Sequence, residues 1–513
     1  MLVKTFGYAV QGINATKVTI EVSIGIGINF YLVGLPDSAV KESQQRIDTA
    51  LKQVGLKIPG KQITVNMAPA DIRKEGSAYD LPIAIGILAA SEQIACAKIT
   101  DYVIMGELAL DGELRPIRGA LPIAIQAKLD GFKGIILPAQ NANEAAVVNG
   151  LEVLYANNLK QVINFFNDTD SLPKAEINLN DAFLHDLESI EFDFADVKGQ
   201  ENIKRALEIA AAGGHNVILI GPPGSGKTML SKRLPSILPP LTIDEALETT
   251  KIHSVAGRTG KSNGGLITQR PFRSPHHTIS DIALVGGGNN PQPGEISLAH
   301  NGVLFLDELP EFKRSVLEVM RQPLEDRVVS IARAKFSVEY PASFMLVASM
   351  NPCPCGFYNH PEKDCVCAPG VVQKYLSKIS GPLLDRIDLH VEVTPVPFSE
   401  LIKQQTNEVS KTIRGRVIKA REIQSKRYSA DVNIHCNAQM RTKDLKTCCN
   451  LNEASNSLLK NAMERLGLSA RAYDRILKVS RTIADLDNST NIETNHIAEA
   501  IQYRSLDRDG WAG

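Results

Sequence analysis

No uninterrupted apolar run in this sequence approaches the roughly 20 residues that a bilayer-spanning helix needs. The opening stretch, MLVKTFGYAV, lacks the apolar core and small-residue cleavage site of a secretory signal. A cytoplasmic location is therefore expected. Excess charge of either sign is missing too: 56 Lys and Arg face 57 Asp and Glu, for a net charge of −1. Any grip on a polyanion must then come from local patches. Internal repeats and low-complexity tracts are absent. Cysteines number eight in 513 residues, and in a reducing compartment they are expected as metal ligands or core residues rather than disulfides. What is present, 43% hydrophobic and 22% charged residues, is ordinary for a soluble globular chain of about three domains.

Residues 1–167 alternate strand-like and helix-like pieces. KVTIEVSIG and KQITVNMAP are β-branched runs bounded by Gly or Pro, and DSAVKESQQRIDTALKQVG has helical apolar spacing. DLPIAIGILAASEQI reads as a buried helix. Residues 168–195 form an acidic linker. From 196 to 397 the texture becomes that of a parallel sheet flanked by helices. From 398 to 513 strand signals fade and a helical domain closes the chain.

Gly221-Pro222-Pro223-Gly224-Ser225-Gly226-Lys227-Thr228 fits G-x-x-x-x-G-K-S/T, between the strand VILI and a helix opening at Met229. Backbone N–H groups of such a loop wrap phosphates, the lysine reaches the β- and γ-phosphates, and the threonine hydroxyl ligates Mg²⁺. Some 80 residues on, VLFLDE is an apolar strand delivering Asp307 to the magnesium and Glu308 to the attacking water. FMLVASMN ends in Asn351, placed to orient that water. LDRID offers Arg386 at an element boundary, suited to transition-state charge in a neighbouring subunit's site. The plain alternative for Asn351 and Arg386 is a polar strand end and a local salt bridge.

Two further stretches stand out. VVSIARAKFSV, 328–338, is a hairpin pattern with Arg333 and Lys335 at its tip, and on composition alone its charges are simply solvated. Cys353-x-Cys355 and Cys365-x-Cys367 put four thiols within fifteen residues, enough for one tetrahedral Zn²⁺ without an open catalytic position. The alternative is four reduced thiols in a loop.

GPPGSGKT, GVLFLDELPEF, ASMNPCPCG, GPLLDRIDL and LSARAYDRILKVSRTIADL, in this order, resemble a magnesium-chelatase-like AAA+ ATPase, and more closely the ComM/YifB family, over essentially the whole chain. The resemblance implies an α/β multidomain fold with an AAA+ core and a helical lid. It makes Asn351 sensor 1, Arg386 an arginine finger and Arg471 the sensor 2 arginine, in a homo-hexameric ring. It also implies that the 328–338 hairpin points into the ring's channel to grip DNA. RPFRSPHHTIS, with Arg270, Arg273, His276 and His277, falls where this branch carries a second pore-facing insert, or is a turn bracing the ATP site. The implied function is an ATP-driven DNA motor for branch migration in natural transformation, with ATP and Mg²⁺ as cofactors. A chelatase-like motor acting on a protein partner is the alternative.

The N-terminal residues resemble the Lon-type proteolytic fold, at KEGSAYD and IRGALPIAIQAKLDGFKGIILP. The nucleophile position is Ala78, with Ser77 one place off. Leu121 and Pro122 stand where the lysine base belongs, and Lys128 lies two helical turns on. A domain without a Ser–Lys dyad is expected, serving as scaffold.

Overall fold

Side chains of 14–25 alternate between buried and exposed, with Val18, Ile20 and Val22 fully buried, as a strand with one covered face requires. In the computed structural model, which describes residues 2–177, 192–259, 265–288, 291–333, 336–358, 360, 362–396, 407–429, 431, 434–504 and 506, the chain divides into two units. One is Met1–Asp186 with Thr242–Thr268; the other is Leu187–Leu241 with Gln269–Gly513.

The first unit carries β1 (Leu2–Gln11), β2 (Asn14–Gly25), β3 (Phe30–Val33), β4 (Gln62–Ala68), β5 (Tyr102–Ile104), β6 (Glu107–Leu108), β7 (Leu114–Arg115), β8 (Gly134–Pro138) and β9 (Glu152–Ala156). Its seven-stranded sheet runs β3-β4-β2-β1-β5-β8-β9. β1, β2 and β4 pair antiparallel, whereas β1, β5, β8 and β9 run parallel. The helix Asp80–Ala90 packs on β1 and β2 and every one of its residues is buried, as an all-round apolar helix must be. Its one charge, Asp80, is neutralised by Arg46 at 2.7 Å.

Residues 242–268, which the sequence reading placed inside the ATPase core, group with this unit. The helix Ile243–Val255 starts with a reciprocal Thr242–Glu245 capping box. Buried Glu144 ties the segment down: its carboxylate accepts from the Leu121 amide (2.9 Å), from the Thr259 hydroxyl (2.9 Å) and from Ser254 Oγ. Glu144→Ala leaves these donors without that acceptor and is expected to cost about 2–3 kcal/mol. The check is hydrogen exchange across Ile243–Val255, which accelerates in the variant if Glu144 is the clamp.

The second unit is built on β10 (Val217–Ile220), β11 (Phe272–Arg273), the ribbon β12 (Gly286–Gly287) and β13 (Gln292–Pro293), β14 (Val303–Leu306), the hairpin β15 (Val328–Arg333) and β16 (Phe336–Pro341), β17 (Met345–Met350) and β18 (Leu389–Glu392). A five-stranded, wholly parallel sheet runs β11-β14-β17-β10-β18. VILI, VLFL and MLVASM are buried along their whole length, as strands covered on both faces are. The first strand, β10, lies inside the sheet between β17 and β18, so the strand order reverses beside it. Ligands of open α/β sheets bind outside the carboxyl ends of the strands at such a reversal.

The helices Ser410–Arg427, Thr442–Cys448, Glu453–Leu466, Ala470–Leu486 and Thr494–Gln502 follow, and part of the helical expectation for 398–426 lies outside the described residues. Ile476, Val479 and Ile483 of Ala470–Leu486 share one core with β10 and β14 residues. Among the described residues no helix is long and apolar enough to cross a membrane.

Candidate nucleotide site and cysteine cluster

β10 ends at Ile220 and the helix Lys227–Arg233 begins seven residues on, with the Gly221–Gly226 loop between them. Gly226 caps that helix at φ 89°, a backbone angle that side chains with a Cβ rarely adopt. Lys227 is 9% exposed, and its Nζ donates to the carbonyls of Gly221 (2.7 Å) and Pro222 (2.8 Å) and to Asn351 Oδ1 (3.2 Å). Burial holds its ammonium below the ordinary lysine range, with Asp307 and Glu308 pulling the other way. Met229 is partly exposed in the first turn.

Asp307 follows β14 directly. Its Oδ2 accepts from Thr228 Oγ1 at 2.8 Å and its Oδ1 from Ser349 Oγ, so the two residues expected to hold magnesium are in contact. Glu308 adopts φ 54° with its amide on Asp307 Oδ1 (3.1 Å), and its side chain is 57% exposed. His277 Nδ1 lies 3.7 Å from Glu308, and the His277 ring lies against His276 with centroids 4.1 Å apart and planes tilted by 34°. The lysine, threonine, two acids and asparagine singled out by pattern thus converge at one end of one sheet. Sequence reasoning missed Ser349, which orients Asp307, and Gln200, whose amide donates to Ser225 O (2.9 Å) and braces the loop. A polar residue inside an apolar strand, ASM, was the available signal for Ser349.

Arg386 donates to Pro382 O (2.6 Å) and pairs with Glu325, while its buried Nε has no hydrogen-bond partner among the described residues. It borders a cleft of about 520 Å³ shared with Glu318, Arg321 and Glu325. Arg471, 67% exposed, pairs with Asp385 at 2.9 Å. Close by, Asp388 is buried and contacts Arg475 (2.9 Å), the Asn216 amide (3.0 Å) and His215 (3.4 Å); His215 continues to Thr482 (2.8 Å). Burial alone would push Asp388 up, but Arg475 and His215 hold it well below the usual carboxylate range. Burial pushes the His215 imidazole below its ordinary range, with Asp388 pulling it back up. Sequence reasoning gave these residues no role.

Arg270 caps the carbonyls of Pro239 (2.7 Å), Asn301 (2.7 Å) and Pro240 (3.3 Å), and Arg273 makes a two-pronged pair with Glu295 at 2.6 and 2.8 Å. Both cations expected in a pore-facing insert are thus held by partners inside their own unit. In the hairpin, Arg333 pairs in backbone register with Phe336. Lys335 and the Arg333 side chain lie outside the described residues.

Cys353 and Cys355 Sγ lie 3.3 Å apart, Cys353 and Cys365 3.7 Å, Cys355 and Cys365 3.5 Å, and all four sulphurs including Cys367 fall within 4.8 Å of one another. A tetrahedral ion at about 2.3 Å from each sulphur spaces them by about 3.8 Å, whereas a disulfide needs about 2.05 Å. The donor set therefore fits zinc. The amides of Phe357 and Val366 hold the Cys355 thiol below the ordinary cysteine range, whereas burial and the neighbouring sulphurs push the Cys365 and Cys367 thiols up.

In the first unit, Ser77 Oγ donates to Glu107, buried Lys74 Nζ donates to Pro69 O, Leu121 and Pro122 are buried, and Lys128 is exposed. Among the described residues no lysine hydrogen-bonds to the Ser77 side chain.

Family profiles described as magnesium chelatase, subunit ChlI, match 193–401; as subunit ChlI of Mg-chelatase, 18–141; and as the ChlI C-terminal part, 407–504. Competence protein ComM of Haemophilus influenzae is 46% identical over 98% of this chain and 97% of its own length. YifB of Escherichia coli is 45% identical over 98% and 96%. Lon protease 2 of Bacillus subtilis is 32% identical over 28% of this chain and 27% of its own. With near full-length identity to ComM and YifB, and the ATP-site geometry in place, the chain belongs to the ComM/YifB family of magnesium-chelatase-like AAA+ ATPases, whose cofactors are ATP and Mg²⁺.

Proposed function

We propose that this ATPase is a DNA motor working as a ring of six copies, a helicase that drives branch migration in natural transformation and recombination. The observation that carries the reading is one unit holding both a hydrolytic set, Lys227, Thr228, Asp307, Glu308 and Asn351, and the β15–β16 hairpin, whose sequence carries Arg333 and Lys335. The competence role in the name of the Haemophilus relative supports it.

Thr228 and Asp307 hold Mg²⁺, which when bound neutralises charge on the β- and γ-phosphates. Asn351 and Glu308 position and activate water. Arg386, whose buried Nε has no hydrogen-bond partner among the described residues and which borders an open cleft, serves a neighbour's nucleotide, and Arg471 serves as the sensor on the helical lid. The four cysteines hold one structural Zn²⁺. Six copies of the hairpin tip place twelve cations around a channel, enough for a near-neutral chain to hold a polyanion. Arg270 and Arg273, already paired, support the insert and add little direct grip.

The test compares ATP turnover with and without branched DNA in the wild type and in an Arg333→Ala, Lys335→Ala double variant. The expected result is stimulation of the wild type, with the variant keeping basal turnover and binding DNA at least about tenfold more weakly near 0.15 M salt. The family profiles also fit a chelatase-like motor acting on a protein partner, and absence of any DNA effect on the wild type would favour that reading.

A further inference from the structure

We infer that the four-cysteine site controls nucleotide affinity, because its first Cys-x-Cys turn is the buttress on which the phosphate loop and Asn351 rest. This rests on the zinc reading above and assigns the metal a consequence at the ATP site. Three observations carry it.

First, Gly356, just after Cys355, sits at φ 84°, and a Cβ there would meet Pro223 Cδ at 2.4 Å. The backbone of the turn therefore lies directly on the phosphate loop. Second, the cysteine segment is fastened to Asn351 at its first end. Cys353, fully buried, follows Asn351 by two residues. Asn351 in turn accepts from Lys227 at 3.2 Å.

Third, the segment has no core of its own. From 357 to 368 no described residue is buried, and Val366 is 85% exposed. A loop that buries no apolar side chain cannot offset its ordering entropy by packing. Metal–thiolate bonds supply that ordering energy in small metal-held segments. With the ion in place the turn presses on Pro223 and fixes Asn351. Without it, the loop retains only its hydrogen bonds and the ring contacts of Phe357 with His360 and Lys363, and the wall behind Pro223 loosens.

The experiment uses the full-length protein. Zinc per chain is measured by elemental analysis, and affinity for a fluorescent ATP analogue is measured before chelation, after chelation and after zinc is returned. A Cys365→Ser, Cys367→Ser variant and a Cys367→His variant, which keeps four ligands, accompany it; circular dichroism verifies that each is folded. The expected result is one zinc per chain, at least tenfold weaker nucleotide binding after chelation or in the double serine variant, recovery on zinc return, and near-normal binding in Cys367→His. One zinc per chain with affinity unchanged within twofold on its removal overturns the buttress and leaves the zinc reading standing. A folded protein purified without zinc, and taking up none, overturns both.

Discussion

A Glu308→Gln chain is expected to bind ATP as the wild type does and to hydrolyse it about 10²–10⁴-fold more slowly, the range for loss of a positioned general base. The geometry separates binding from chemistry at this residue. On the proposed reading, phosphate binding falls to the Gly221–Gly226 loop and Lys227, and magnesium to Thr228 and Asp307, none of which uses the Glu308 side chain. Glu308 is instead held by its backbone, with its amide on Asp307 Oδ1 and φ at 54°, so its carboxylate projects from the strand end with more than half its surface open. Glutamine keeps that shape and its hydrogen bonding while losing the ability to take a proton. Turnover by a coupled assay and affinity by fluorescent nucleotide give the two readouts. A variant that loses both together would show that Glu308 shapes the site rather than activating water.

Asp388→Asn is expected to destabilise the second unit by about 3 kcal/mol and lower its melting temperature by roughly 5 °C. The figure is the lower end for breaking a buried ion pair, since Arg475 keeps 24% exposure while Asp388 has 1%. Asparagine retains the acceptor for the Asn216 amide but leaves Arg475 without its counter-charge. The same residues set a pH dependence. A carboxyl held below its ordinary value contributes stability that is complete above its unfolded value near 4 and lost as pH falls from there towards the folded value. A histidine whose proton affinity is lowered by burial binds its proton more readily once unfolded, so stability also declines as pH drops below about 6.5. Both act in one direction: melting temperature should fall between pH 7.5 and about 2.5, with the part below about pH 4 reduced in Asp388→Asn. Parallel profiles for the two proteins would remove Asp388 from the account.

These two residues also mark what could be read from the chain alone. Glu308 was legible because it ends an apolar run, VLFL, whose burial on both faces forces its polar successors out at the strand end. The phosphate loop was legible because its glycines, lysine and threonine are contiguous, and the helix Asp80–Ala90 because it is apolar on every side. Asp388 was not, because its partners His215, Asn216 and Arg475 are scattered over more than 250 residues and none stands in a repeating pattern. Arg270 and Arg273 illustrate the converse: the sequence shows cations, but only the fold reveals that carbonyls and Glu295 already occupy them. The place of the helix Ile243–Val255 was equally hidden, since its capping box and apolar face are the same whichever unit it joins.

That helix has a consequence for how the protein comes into being. The first unit takes residues 242–268 from beyond β10, so the chain passes between the units three times. On the ribosome, a nascent chain that has emerged as far as residue 186 carries Glu144 but not Ser254 or Thr259, its later partners. The N-terminal unit can mature only after the phosphate loop has been synthesised and left waiting for β14 and β17. Strict vectorial maturation, one finished unit before the next begins, is closed to this chain, and neither unit can be released intact by cutting at a single peptide bond.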